Sequence, residues 1–216
     1  MTSGLLDLFA RYGLPAELSE AMREHMDSFV PMVSPQPKLT LLPSGGSFRL
    51  GDELYETLHT PGHAAGHICF YQRDRREMFC GDQVIPRISP NVSYLPGGVD
   101  ENPLGSFLNS LKELERYEVV RAYPGHRDPF ETFQKRIGEL LDHHELRLAE
   151  MQRELAEQPR TAYEVCRLTF GDRLTLHQLR FALSETLAHF IYLRETGRIV
   201  EEQGSDGIIV YRQSER

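Results

Sequence analysis

The sequence predicts an α/β chain followed by a small winged-helix-like unit. Three observations carry that expectation. Short apolar runs bounded by Gly and Pro, between Lys38 and Tyr123, have the length of strands and enclose one stretch of helical spacing. A long run with apolar residues at steps of three and four then extends from about Glu131 to Glu157. Beyond Pro159, two further helical runs precede a pair of short apolar segments joined by Gly204-Ser205-Asp206-Gly207, an order compatible with a winged helix.

The elements follow in order. Residues 1–34 read as helical, with Leu5, Leu6, Leu8 and Phe9 in one stripe, a break at Gly13-Leu14-Pro15, and Leu18, Met22, Met26 and Phe29 in the next. Pro31, Pro35 and Pro37 end that region, because proline removes a donor and restricts its predecessor. Leu39 to Leu42 reads as a first strand. Phe48–Leu50 and Leu54–His59 flank Gly51-Asp52 as a hairpin, and His67–Tyr71 and Met78–Cys80 follow. Asn102-Pro103 opens a helix with Leu104, Phe107, Leu108, Leu111 and Leu114 on one face, and Val119–Tyr123 is a buried strand. The long helix carries Phe133, Ile137, Leu141, His144, Leu148, Met151 and Leu155 on its apolar side. Thr161 caps a helix over Ala162–Phe170, and Gly197 ends the one after it.

Charge and composition exclude some functions. Thirty-two acidic against 24 basic residues give a net charge of -8, with no electrostatic footprint for nucleic acid. From Pro159 onward arginines and carboxylates balance, so the C-terminal unit is no basic reader either. No run approaches the ~20 apolar residues of a membrane helix. Cys69, Cys80 and Cys166 are an odd, scattered set, and no leader stands at the N-terminus, so a reducing cytoplasm is expected. The expected partners are a small-molecule substrate, no membrane and no nucleic acid.

Three segments could carry chemistry: Thr60-Pro61-Gly62-His63-Ala64-Ala65-Gly66-His67, Cys80-Gly81-Asp82 and Tyr123-Pro124-Gly125-His126. Each ends an apolar strand in a Gly-containing turn, where loops gather ligands and the backbone turns sharply. A lone histidine in a turn is usually a hydrogen-bonded surface residue, and Gly-Asp alone is ordinary turn chemistry. Together, two imidazoles and a carboxylate form a ligand set for a first-row divalent ion such as Zn²⁺. Elsewhere, His144 reads as a packed core histidine, His143 and His25 as solvated helix residues, and His177 and His189 as lacking ligand partners. Asn91 and Ser93 fit a pocket lining and ordinary turn chemistry equally.

These motifs, with Arg87-Ile88-Ser89-Pro90-Asn91-Val92-Ser93 and Thr161-Ala162-Tyr163-Glu164-Val165, resemble the metallo-β-lactamase superfamily, specifically its hydrolases with a winged-helix-like C-terminal extension. The resemblance extends from about Lys38 onward. It implies half of a four-layer αββα sandwich in residues 1–130 (1–34 helical, 38–130 strands and helix), a connecting helix at 131–158 and a winged-helix-like domain at 159–216. It further implies that His63 ligates one metal, Asp82 bridges two, His126 ligates the second, and His67 supports its loop. A zinc pair so held would activate water and polarise the scissile bond of an ester, thioester, amide or phosphoester.

The sequence departs from that family in lacking its earlier His-x-His-x-Asp-His motif. The only histidine before His59 is His25, in a helix. Either the chain is the second half of a longer hydrolase with an incomplete metal site, or it is a non-catalytic interaction protein on the same scaffold. The intact later motifs favour the first. Metal binding is then expected to be weak or partial. The inner sheet face lacks its partner, so the expectation is a homo-oligomer or association through that face, or else an unusual packing of the N-terminal helices over it.

Overall fold

The computed structural model describes residues 2–35, 37–42 and 45–215. In chain order the elements are α1 (Thr2–Arg11), α2 (Ala16–Asp27), β1 (Ser47–Leu50), β2 (Glu53–His59), β3 (Ile68–Gln72), β4 (Glu77–Gly81), α3 (Pro103–Leu114), β5 (Arg121–Pro124), α4 (Phe133–Glu154), α5 (Ala162–Phe170), α6 (Leu176–Glu195), β6 (Ile199–Gln203) and β7 (Ile209–Gln213), with a 3-10 turn at Val30–Val33. The α/β architecture expected from the sequence is present. The chain divides into two compact units, Thr40–Val92 with Val99–Glu145, and Met1–Leu39 with Ser93–Gly98 and Leu146–Arg216.

The first unit is built on a five-stranded sheet in the order β1-β2-β3-β4-β5. Neighbours are antiparallel except β4 and β5, which run parallel with α3 as their crossover. Asn102 caps α3 by accepting from the Gly105 N–H (2.9 Å), and Pro103 stands where its missing donor costs nothing. Strand alternation sends Cys69, Tyr71, Met78, Cys80 and Ala122 to one face, all buried. There the Tyr71 hydroxyl donates to the Glu118 carbonyl (2.9 Å), and its ring meets Tyr117 just past α3.

The opposite face carries Phe48, Tyr55, Phe70, Phe79 and Tyr123. Their rings form contacts between strands: Phe48–Phe70 at 5.8 Å, Tyr55–Phe79 at 5.7 Å and Phe79–Tyr123 at 4.9 Å between centroids. Phe79, in the middle of the row, is 37% exposed. The cysteines are free and buried, and desolvation pushes the Cys69 thiol up to about 12, which leaves it inert as a nucleophile.

The tetrad Leu39 to Leu42, expected as a strand, is irregular, with Leu39 79% and Leu41 91% exposed. Its apolar character suits a strand, but no strand of the described residues pairs with it, and an unpaired strand is not stable in water.

In the second unit Leu5, Leu6, Phe9 and Met22 of the N-terminal helices are buried. The sequence grouped residues 1–34 with the strands, whereas their contacts cluster with the C-terminal helices. Tyr12 stacks on Tyr211 (6.0 Å), and its carbonyl accepts from the Tyr163 N–H (3.1 Å). A periodic stripe reveals that a helix has a buried face without naming what buries it. His25 is a second difference: instead of standing in solvent, it packs edge-on to Phe29 (5.0 Å) and His177 (5.6 Å). Helices α5 and α6 each begin with a reciprocal capping box, Thr161 with Glu164 and Thr175 with Gln178. β6 and β7 pair antiparallel around the Gly204–Gly207 turn, giving the helix, helix, hairpin order expected. Among the described residues no helix is long and apolar enough to cross a membrane.

Candidate metal centre

His63, Asp82 and His126 follow the C-terminal ends of β2, β4 and β5, so the topology brings all three to one end of the sheet. The Gly125 N–H donates to the Gly81 carbonyl (2.8 Å), which fixes the β5 turn against the β4 turn. A Cβ at Gly125 would overlap Asp82 Oδ1, so a larger residue there would have to displace the Asp82 carboxylate.

The two imidazoles face one carboxylate oxygen. His63 Nε2 and His126 Nε2 each lie 3.6 Å from Asp82 Oδ2. That is too long for a hydrogen bond. It is close to the ~3.4 Å edge of a tetrahedron built on ~2.1 Å metal–ligand bonds. His63 Nδ1 is 2.8 Å from the Asn91 carbonyl, which makes Nδ1 the protonated nitrogen and turns Nε2, with its lone pair, toward Asp82. Asp82 Oδ1 is buried with no hydrogen-bond partner among the described residues. A buried carboxylate oxygen left without a donor is costly, and a cation is the partner that suits it. The donor set therefore fits a divalent metal.

The fit is incomplete in number. Among the described residues no three ligand-type side chains surround a common point. Each imidazole approaches only Asp82, which falls short of the three protein donors that a catalytic zinc site uses. The side chain of His126 is 68% exposed, against 31% for His63 and 29% for Asp82, so the centre is open on the His126 side.

His67 stays outside the donor set. Its Nδ1 lies 2.7 Å from Thr60 Oγ1, and a Cβ at Gly81 would come within 2.6 Å of its Nε2. It buttresses the β2 and β4 turns. Desolvation, with repulsion from His63, lowers its pKa to about 4. A histidine held neutral by folding stabilises the fold above its unfolded pKa of ~6.5, and that contribution is lost as pH falls toward 4. We expect the urea midpoint of the wild type to drop more between pH 7 and pH 4.5 than that of His67→Asn. Equal drops would show that the shift contributes nothing to stability.

The sequence did not single out Thr60 as a partner of His67, or the Asn91 carbonyl as the anchor of His63. The former pair lies across the turn, and a carbonyl carries no side-chain signal. His144 is fully buried against Phe107 (5.3 Å), as its place on the apolar stripe implied.

Comparison with known proteins gives the family. The family model "Metallo-beta-lactamase superfamily" matches residues 7–126, and "Metallo-beta-lactamase-like, C-terminal domain" matches residues 148–214. The match begins well before Lys38, so the N-terminal helices belong to the family region. A probable metallo-hydrolase, YqjP of Bacillus subtilis, is 31% identical over 142 residues, 64% of this chain and 44% of that protein. The human acyl-coenzyme A thioesterase MBLAC2 is 33% identical over 98 residues, 45% of this chain and 33% of that protein. A beta-lactamase domain protein from Burkholderia ambifaria has a crystal structure that superposes with a TM-score of 0.84 at 33% identity, covering 95% of this chain and 60% of that one. The chain thus spans less than two thirds of each of these proteins. Most members of such a superfamily are hydrolases, and with more than half its length inside the family match, this chain belongs to the metallo-β-lactamase superfamily.

Proposed function

We propose that the protein is the metal-bearing second part of a hydrolase that cleaves thioesters, with His63 and His126 as ligands of two divalent cations and Asp82 as the carboxylate they share. The observation that carries this is the convergence of both imidazole Nε2 atoms on Asp82 Oδ2 at 3.6 Å, beside a buried Oδ1 without a partner. The thioester preference rests on the thioesterase named among the relatives. Two imidazoles and a carboxylate suit zinc, and a reducing compartment such as the cytoplasm suits three buried free thiols. When bound, the metal would supply Lewis acidity toward the scissile carbonyl and the attacking water. The chain's own residues do the positioning: the Asn91 carbonyl holds the His63 tautomer, Gly125 leaves room for Asp82 against the β5 turn, and Gly81 leaves room for His67.

Two donors per cation are too few, so the remaining ligands come from polypeptide beyond the described residues. The aromatic face of Phe48, Phe70, Phe79 and Tyr123 is the surface for that association, or for a second copy in its absence. We read the C-terminal helices and hairpin as a winged helix with a structural role.

The test is metal content by mass spectrometry and thioester turnover, for the chain alone and mixed with the first part of the Bacillus relative. The expected result is less than one metal alone, with about two and turnover after mixing. Two tightly held metals in the chain alone would overturn the shared, incomplete centre. Restored metal with no turnover on any acyl thioester would favour a non-catalytic interaction protein.

A further inference from the structure

Arg87 and Arg127 share the wall of a cavity of about 560 Å³ with Arg136, Asp128, Glu139 and Phe130. Both come shortly after candidate ligands: Arg127 directly follows His126, and Arg87 lies on the segment that continues from Asp82. Three non-glycine residues of the described chain have a left-handed backbone, and two of them are these arginines, at φ 73° and 74°. The third, Arg76, sits in the β3–β4 turn and pairs with Glu118. A side chain in that conformation is strained wherever glycine would serve, and such strain gathers at functional sites.

Neither Arg87 nor Arg127 has a side-chain hydrogen bond or an ion pair among the described residues. Arg136 differs. It donates from Nε to the Ile85 carbonyl and from Nη2 to the Ile88 carbonyl, both at 2.8 Å, and pairs with Glu139 at 3.0 Å. Arg136 therefore builds the wall, and its charge is met. The one other carboxylate among the lining residues, Asp128, is outnumbered by Arg87 and Arg127, which leaves the cavity net cationic. Two unpaired guanidiniums over a preformed wall are a receptor for phosphate oxygens, which arginine binds in bidentate fashion. The cavity is large enough for a nucleotide-sized group.

The geometry points to a phosphate-binding subsite beside the metal centre, in which Arg87 and Arg127 hold the phosphorylated carrier of an acyl thioester of the coenzyme A class. This names the substrate class of the reading above and rests on it for the thioester. The subsite itself is testable without metal or turnover.

Calorimetric titration of the full chain in EDTA, with coenzyme A and with pantetheine, makes the test. Coenzyme A should bind at least about tenfold more tightly, as expected for charge-assisted bonds that pantetheine lacks. Pantetheine 4′-phosphate and dephospho-coenzyme A then locate which phosphate is held. In Arg87→Gly/Arg127→Gly the preference should vanish while the urea midpoint does not fall, because glycine suits both backbone positions. Equal binding of the two carriers by the wild type would overturn the proposal, whatever the variant's folding. So would a preference that survives the double substitution. Absent metal or turnover with this preference intact would instead count against the hydrolase reading alone.

Discussion

Asp82→Asn is expected to lower the affinity of the protein for Zn²⁺ by about a hundredfold or more, and to do so more severely than removing either histidine. In the proposed arrangement both imidazoles share their cations with the same carboxylate, 3.6 Å from each Nε2, so His63→Ala or His126→Ala would take one donor from one cation. Asp82→Asn weakens a donor of both and removes the negative charge that offsets the metal. A carbonyl oxygen replaces a carboxylate, a poorer partner for a first-row cation in an imidazole site. Competition against a chromophoric chelator reads the affinity directly. A loss confined to the histidine variants would mean that Asp82 shares no metal. The metal-free protein gives a second, opposite sign. Asp82 Oδ1 is buried without a donor, so the asparagine variant in EDTA should be as stable as the wild type or more so. A drop in EDTA would show that Asp82 acts as a structural hydrogen-bond acceptor.

Gly62→Ala should destabilise the fold by about 3 to 5 kcal/mol, enough to leave little of a typical domain's stability. Two costs coincide at this position. Its φ of +135° lies in a region that only glycine populates freely, and an added Cβ would overlap the Phe107 backbone at the centre of α3. Backbone cannot yield as a flexible side chain would. Gly66, in the same motif, is the internal control: it has no positive φ, and nothing lies within 4 Å of its would-be Cβ. Gly66→Ala should be neutral or slightly stabilising, since alanine reduces the freedom of the unfolded chain. Urea midpoints of the two variants, side by side, check both expectations. A Gly62→Ala protein as stable as Gly66→Ala would show that the turn and α3 separate easily.

Much of this molecule is legible in its residues. Strands ended by Thr-Pro-Gly-His, Gly-Asp and Pro-Gly-His point to a site at one sheet end, because glycine and proline mark where the chain must turn. The helix caps at Asn102, Thr161 and Thr175 are local chemistry, and α5 begins and ends where Thr161 and Gly171 dictate. What the sequence hides is partnership across long separations. Leu39 to Leu42 looks like a strand because apolarity is local, whereas the neighbour it lacks is not. His25 looks solvated until α6 brings His177 against it. The positive φ of Arg87 and Arg127 leaves no trace in a sequence where glycine is the usual marker of that conformation.

The stacking of Tyr12 on Tyr211 bears on the order in which the chain takes shape. A ribosome releases the first helix long before β7 exists, and β7 supplies the ring against which Tyr12 rests. Tyr211 is fully buried and also meets Phe190 at 4.6 Å, so it is a keystone for residues at both ends. The compact unit that holds Leu5, Leu6 and Phe9 therefore depends on contacts of large sequence separation, the kind that form slowly.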